Sequence, residues 1–224
     1  MLTECAAPGA RLLELVQVMD TLRVSCPWDA RQTHASLTPH LLEETYEAVD
    51  ALAADDQAAV REELGDVLLQ VIFHARVAQE RADGTGYDID DVADGIIDKL
   101  TRRHPHVFGD VTVSGPDEVK QNWDIIKAAE RSAAGSGEPV SALDGVPMAQ
   151  PALSLAAQLL RRADRAGVPA ELADLDELPA VSDLGRQLFA LVAQAQSAGL
   201  DAELELRAAA RAYARRVRAF EAEV

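Results

Sequence analysis

The sequence predicts an all-α fold. Apolar residues recur at helical spacing along most of its 224 residues, alanine and leucine are abundant, and no stretch alternates with the two-residue period of a half-buried strand. Hydrophobic residues make up 48% of the chain, enough for the core of one domain or two small ones.

The elements follow in order. Residues 1–10 read as a flexible N-terminus, and a first helix covers about Ala10 to Val24. The loop "SCPWDARQTHASLTPH" comes next; its Trp28 suits either a base pocket or a rigid structural turn. Thr38 followed by Pro39 has the chemistry of an N-cap with proline at the first helical position, so a second helix is expected from Pro39 to Ala54, patterned by Leu41, Leu42, Tyr46 and Val49. Gln57 to Arg81 forms a third, with Leu64, Val67, Leu68, Val71, Ile72 and Ala75 as its apolar stripe. "DGTGYDIDD" is turn chemistry, and Asp88 caps a helix that Pro105 stops. Ser114 and Asp117 have capping-box spacing ahead of a helix ending near Arg131.

Residues 132–151 are linker-like in their glycine, proline and serine content, and residues 152–224 form a second helical region. Within it, "DLGRQLFALVAQA" from Asp183 aligns without gaps to "ELGDVLLQVIFHA" from Glu63, which suggests a degenerate helical repeat. Arg186 stands where the first copy has Asp66.

Charge narrows the function. Thirty-eight acidic against 21 basic residues give a net charge of −17, which repels a nucleic-acid backbone. The apolar run from Leu12 to Val18 is short and interrupted by Glu14 and Gln17, so neither a signal peptide nor a membrane span is expected and a cytoplasmic address follows. Cys5 and Cys26 cannot make a four-ligand zinc site without help from histidines and read as two reduced thiols.

"LLEETYEAVD" places Glu43, Glu44 and Glu47 within five positions. The positive end of a helix dipole accounts for Glu43 and Glu44, but not for a second pair, Glu63 and Asp66, well inside the next helix. Glu44 and Glu47 are spaced i, i+3, as are Glu63 and Asp66, so each pair shares one helix face. Two antiparallel helices would set the four carboxylates facing one another, and a hard cation such as Mg²⁺ would offset their repulsion. A di-iron bundle needs Glu-x-x-His, and no histidine has a glutamate three positions before it.

Downstream, Lys99 and Arg103 lie one turn apart and could clamp phosphate oxygens or simply favour a helix C-terminus before Pro105. Trp123 and Lys127 have the same spacing; they could flank a nucleotide, or be a core tryptophan and a solvated lysine.

Together, Glu-Glu-x-x-Glu, the later Glu-x-x-Asp, "CPWD", "QTH", "KLTRRHPHVFGD" and "NWDIIKAAE" closely resemble the MazG family of nucleoside triphosphate pyrophosphohydrolases. The likeness covers about residues 11–131 and extends more weakly through "SALDGVP" into residues 152–224. It implies an all-α NTP pyrophosphatase bundle, dependence on Mg²⁺ with Mn²⁺ as a substitute, and hydrolysis of NTPs or dNTPs to the monophosphate and pyrophosphate. On the family pattern Glu44, Glu47, Glu63 and Asp66 are the metal ligands, Glu43 is a supporting neighbour, and Lys99, Arg103, Trp123 and Lys127 bind substrate. A homodimer is implied as well. The second repeat lacks the glutamate pair and carries Arg186, so it is expected to be catalytically silent. The alternative is a non-catalytic helical module that binds nucleotides or a partner protein.

Overall fold

A computed structural model describes residues 9–134, 141–175 and 180–222. Most of the expected N-terminal segment, Cys5 with it, and part of the expected linker lie outside these residues. The described residues contain helices and turns and no strand. The chain divides into two compact units, Met1–Ile126 and Lys127–Val224.

The first unit begins with α1, Ala10–Ser25. A 3₁₀ turn over Asp29–Arg31 leads into α2, His34–Ala54, which starts earlier than its sequence suggests. Thr33 is the N-cap: its side chain accepts from the Ser36 amide, while the Ser36 hydroxyl accepts from the Thr33 amide. Thr33 and Ser36 thus close a capping box with serine in place of the usual glutamate. Pro39 lies inside the helix, past the first turn, rather than at its first position. Its missing N–H forfeits one intrahelical bond, while Thr38 donates to the His34 carbonyl at 2.8 Å.

Asp55, in the left-handed conformation at φ 56°, ends α2, and Asp56 immediately caps α3, Gln57–Ala78, by accepting from the amides of Ala58 and Ala59. Only two residues separate the helices, so α2 and α3 run antiparallel as a tight hairpin. Their contact is the most extensive in the first unit. Small side chains make the approach close: Ala48 and Ala51, one turn apart on α2, are buried, whereas the larger Leu42 and Tyr46 are exposed.

The core gathers Met19 of α1, Leu37 of α2 and Ile72 and Phe73 of α3, with Leu68, Leu69 and Val77 packed around them. On α3 the buried face is therefore displaced from the expected stripe, leaving Leu64 and Val71 exposed while Phe73 takes a core place. The His34 and His74 rings stack with centroids 5.1 Å apart and their Nδ1 atoms 2.8 Å apart, fixing the start of α2 against α3. The imidazole pair needs one Nδ1 proton as donor and one bare Nδ1 as acceptor. Burial and the neighbouring His34 both push the His74 pKa down, which keeps that ring neutral.

Asp88 caps α4, Ile89–Arg103, as its position suggests, in a capping box with Asp91. His104 separates α4 from the short α5, Pro105–Phe108. At the start of α6, Pro116–Ala134, the Ser114 amide and hydroxyl both donate to Glu118 at 2.7 Å, so Glu118 rather than Asp117 partners the serine.

The second unit holds α7, Ala152–Arg165, α8, Asp183–Ser197, and α9, Ala202–Ala222, each packed on the other two. Ala157 and Val192 are buried in it. The "SALDGVP" turn is bound to α7 through Arg162, whose Nη1 donates to the Asp144 carbonyl at 2.6 Å.

Candidate metal centre

The α2–α3 hairpin sets heights as well as direction. At 1.5 Å per residue, Glu44 stands about 16 Å from the Asp55 end of α2 and Asp66 about 15 Å from the Asp56 end of α3. Glu47 and Glu63 stand about 12 Å and 10 Å from the same ends. Glu44 is thus level with Asp66, and Glu47 with Glu63. The electrostatics follow these rungs. Among neighbouring charges Asp66 acts most strongly on Glu44, and Glu47 most strongly on Glu63.

Glu44, Glu63 and Asp66 each offer a carboxylate oxygen within 4.8 Å of the others, and all three are half-buried. Glu47 is exposed and stands outside this triple, but its charge acts on both Glu44 and Glu63. The pKa of Glu44 is raised by loss of hydration and then by Asp66, Glu47 and Glu43. Glu63 is raised by loss of hydration and then by Glu47, Asp66 and Glu62. Glu44 and Glu63 in the apo protein therefore hold protons more tightly than isolated glutamates do.

The donors fit a hard divalent cation. All are carboxylate oxygens, and ligands on opposite sides of a cation with 2.0–2.6 Å bonds stand ~4–5 Å apart, so the triple spans a suitable width. A divalent charge would also relieve the repulsion that raises both glutamates. Glu44, Glu63 and Asp66 could hold such an ion, with Glu47 within electrostatic reach of two of them.

The remaining candidates lie on α4 and α6. Lys99 is exposed on α4, with Arg103 half-buried one turn later. Trp123 is half-buried on α6, and its ring meets that of His104 in a T-shaped contact at 4.8 Å, which ties α6 to the end of α4. Lys127, half-buried, lies one turn further along α6 and falls in the second unit.

Arg186, aligned with Asp66, is put to another use. Its Nη1 donates to the Val181 carbonyl at 2.6 Å and its Nη2 pairs with Asp183, so it ties the start of α8 together. Asp183 is the first residue of α8, whereas the aligned Glu63 lies well inside α3. The same letters thus occupy different places in their helices. Among the described residues, the group of three possible metal ligands occurs in the first unit alone.

Sequence reasoning missed the ion-pair network behind the hairpin. Arg23 of α1 pairs with Glu80, and Arg76 of α3 bridges Asp20 of α1 and Glu80. Partners 56 or 57 residues apart leave no local signal.

Comparison with known proteins shows the family of the chain. Residues 32–108 match the MazG nucleotide pyrophosphohydrolase domain, a span that contains the whole α2–α3 hairpin. The chain is 46% identical over 214 residues to an uncharacterised 26.1 kDa protein of Streptomyces cacaoi, covering 96% of this chain and 84% of that one. It is 43% identical to a nucleoside triphosphate pyrophosphohydrolase of Mycolicibacterium smegmatis, covering 97% of this chain but 61% of that protein, so it spans about three-fifths of that relative's length. With the Escherichia coli nucleoside triphosphate pyrophosphohydrolase it shares 37% identity, over 94% of this chain and 86% of that one. Likeness of that extent, carried through the helices that bear the carboxylates, makes the chain a member of the MazG nucleotide pyrophosphohydrolase family.

Proposed function

We propose that the chain is a Mg²⁺-dependent enzyme that hydrolyses NTPs and dNTPs between the α and β phosphates, giving the nucleoside monophosphate and pyrophosphate. The observation that carries this reading is the convergence of Glu44, Glu63 and Asp66 across the α2–α3 hairpin. The family supports the reaction class.

Glu44, Glu47, Glu63 and Asp66 are the proposed ligands. When bound, the ion supplies charge neutralisation of the triphosphate and a more acidic water. Glu44 and Glu63 must give up their protons for this, and their raised pKa values make loading pH-dependent. Lys99, Arg103 and Lys127 are the proposed donors to phosphate oxygens, where fixed cations stabilise the charge that develops on the leaving pyrophosphate. Trp123 completes the proposed substrate set.

The catalytic module is proposed as residues 11–131, followed by a linker at 132–151 and a silent second repeat at 152–224. Arg186 as a helix-start tie supports that silence. A homodimer is proposed from the family pattern, and the apolar Ile96, Ile97 and Leu100, each more than two-fifths exposed on α4, are consistent with a covered face. A cytoplasmic setting is proposed; no helix of the described residues is long and apolar enough to cross a membrane.

Anion-exchange analysis of products, after incubation with each NTP and dNTP and Mg²⁺, tests the reading. AMP and pyrophosphate from ATP are expected. Accumulation of ADP and inorganic phosphate would overturn the bond assignment, and no turnover with any divalent metal would favour a non-catalytic nucleotide-binding module.

A further inference from the structure

Arg23 lies near the end of α1 with 8% of its surface exposed, yet each guanidinium nitrogen is engaged. Nε and Nη2 donate to the two Glu80 oxygens at 2.9 and 2.7 Å, a bidentate fork. Nη1 donates to the Asp29 carbonyl and, at 3.0 Å, to the Gln32 carbonyl. Those carbonyls bracket the 3₁₀ turn, so one side chain ties the loop between α1 and α2 to a residue just beyond the end of α3. The Arg23 guanidinium also holds the Glu80 carboxyl below its usual range.

The tied loop carries Trp28. Gln32 Nε2 donates to the Trp28 carbonyl at 2.9 Å, and the indole makes T-shaped contacts with His40, at 5.9 Å, and Phe73, at 6.4 Å. Even so, Trp28 remains 53% exposed. His40 Nδ1 is 3.9 Å from a Glu43 oxygen, and His40 lies one turn before Glu44 on α2. A large aromatic is therefore held in place and left open beside the carboxylate helix. A connecting loop alone would not call for a desolvated arginine, whose burial is costly without this set of acceptors. Holding a ring in its binding position in advance lowers the ordering cost of using it.

We propose, on the basis of the triphosphate hydrolysis inferred above, that Arg23 is a positioning residue that holds Trp28 as the stacking surface for the substrate's nucleobase. Stacking uses the π-face that every base possesses, so this element accepts purines and pyrimidines alike. Lysine cannot replace Arg23, because an ammonium lacks the planar fork that serves the carboxylate and two carbonyls together.

The test compares wild type, Trp28→Ala, Trp28→Phe, Arg23→Lys and the double variant Arg23→Lys/Trp28→Ala, using ATP and ribose 5-triphosphate, which lacks the base. Trp28→Ala should raise KM for ATP by roughly tenfold with kcat little changed, a size set by typical base–aromatic stacking. Trp28→Phe should restore most of the loss, and ribose 5-triphosphate should not discriminate between wild type and Trp28→Ala. Arg23→Lys should raise KM for ATP, and the double variant should do no more than Trp28→Ala alone, because the arginine acts through the ring. Additive KM effects, or equal losses on both substrates, would overturn the proposal. Trp28→Ala also stands without Arg23→Lys should the latter not fold, and an unchanged KM there sinks the idea. If wild type turns over neither substrate, it is the hydrolytic reading that fails. Calorimetric binding of ATP against ribose 5-triphosphate in Mg²⁺ then decides the stacking claim, and no preference for ATP overturns it.

Discussion

Leu37→Ala tests whether the hairpin's stability rests on the core beneath it. Leu37 is fully buried on α2, among Met19, Ile72 and Phe73, two turns before Glu44. The substitution removes three carbons, about 2.4 kcal/mol of transfer free energy at 0.8 per methylene. Three helices line the site, so it cannot collapse fully, and the residual cavity raises the expected cost to about 3–4 kcal/mol, within the span seen for buried leucines. At roughly 4 °C per kcal/mol for a unit of this size, the first unit should melt ~12–16 °C earlier. Leu37→Met, which conserves volume, should cost under about 1.5 kcal/mol. Thermal melts followed by far-ultraviolet circular dichroism, with the second unit's transition as internal reference, measure the shift. Mn²⁺ calorimetry at low temperature, where Leu37→Ala remains folded, should return the wild-type affinity. A midpoint shift under ~4 °C would mean that Leu37 is not what holds α2 to α1 and α3.

Glu44→Gln, Glu63→Gln and Asp66→Asn should each weaken Mn²⁺ binding by at least the roughly 10–100-fold that outer-shell changes alone can reach, with most activity lost and helicity retained; near-normal rates at saturating Mg²⁺ in two of them would refute the ligand assignment. The pKa values of Glu44 and Glu63 are raised above the ordinary glutamate value of 4.5 in the folded apo protein, so the stability they contribute is present below that value and is lost as pH rises through the raised values. Apo stability should therefore fall across that interval, Glu44→Gln/Glu63→Gln should flatten the fall, and urea melts over a pH series would expose an unchanged slope. Lys99→Ala should raise KM or slow turnover while leaving Mn²⁺ affinity intact by calorimetry; a loss of metal binding equal to that of Asp66→Asn would reassign the lysine to the fold. Arg186→Ala should keep near-wild-type turnover, and metal-dependent hydrolysis in Asp66→Asn that vanished on adding Arg186→Ala would place chemistry in the second unit.

The sequence by itself determined the helical class, the approximate span of most helices and the four carboxylates at i, i+3, because these rest on local periodicity and on side-chain chemistry. Asp88 was legible as a cap for the same reason, as one short polar side chain ahead of a periodic run. Local reasoning failed where two local signals competed. Thr38-Pro39 has good N-cap chemistry, but Thr33 and Ser36 satisfy the free amides a full turn earlier, and the packing of Leu37 and the stacking of His34 on His74 stabilise that extra turn. Tertiary structure alone decided which apolar residues are buried, because burial depends on which neighbours arrive: Phe73 faces α1 and α2, while Leu64 faces solvent. It also decided the rungs of the hairpin. The two-residue turn at Asp55 and Asp56 levels Glu44 with Asp66, and buried Ala48 and Ala51 let the helices approach. Arg23 shows the limit of the sequence most plainly, since a planar cation can join a carboxylate 57 residues away to two loop carbonyls only after folding has brought all three to one place.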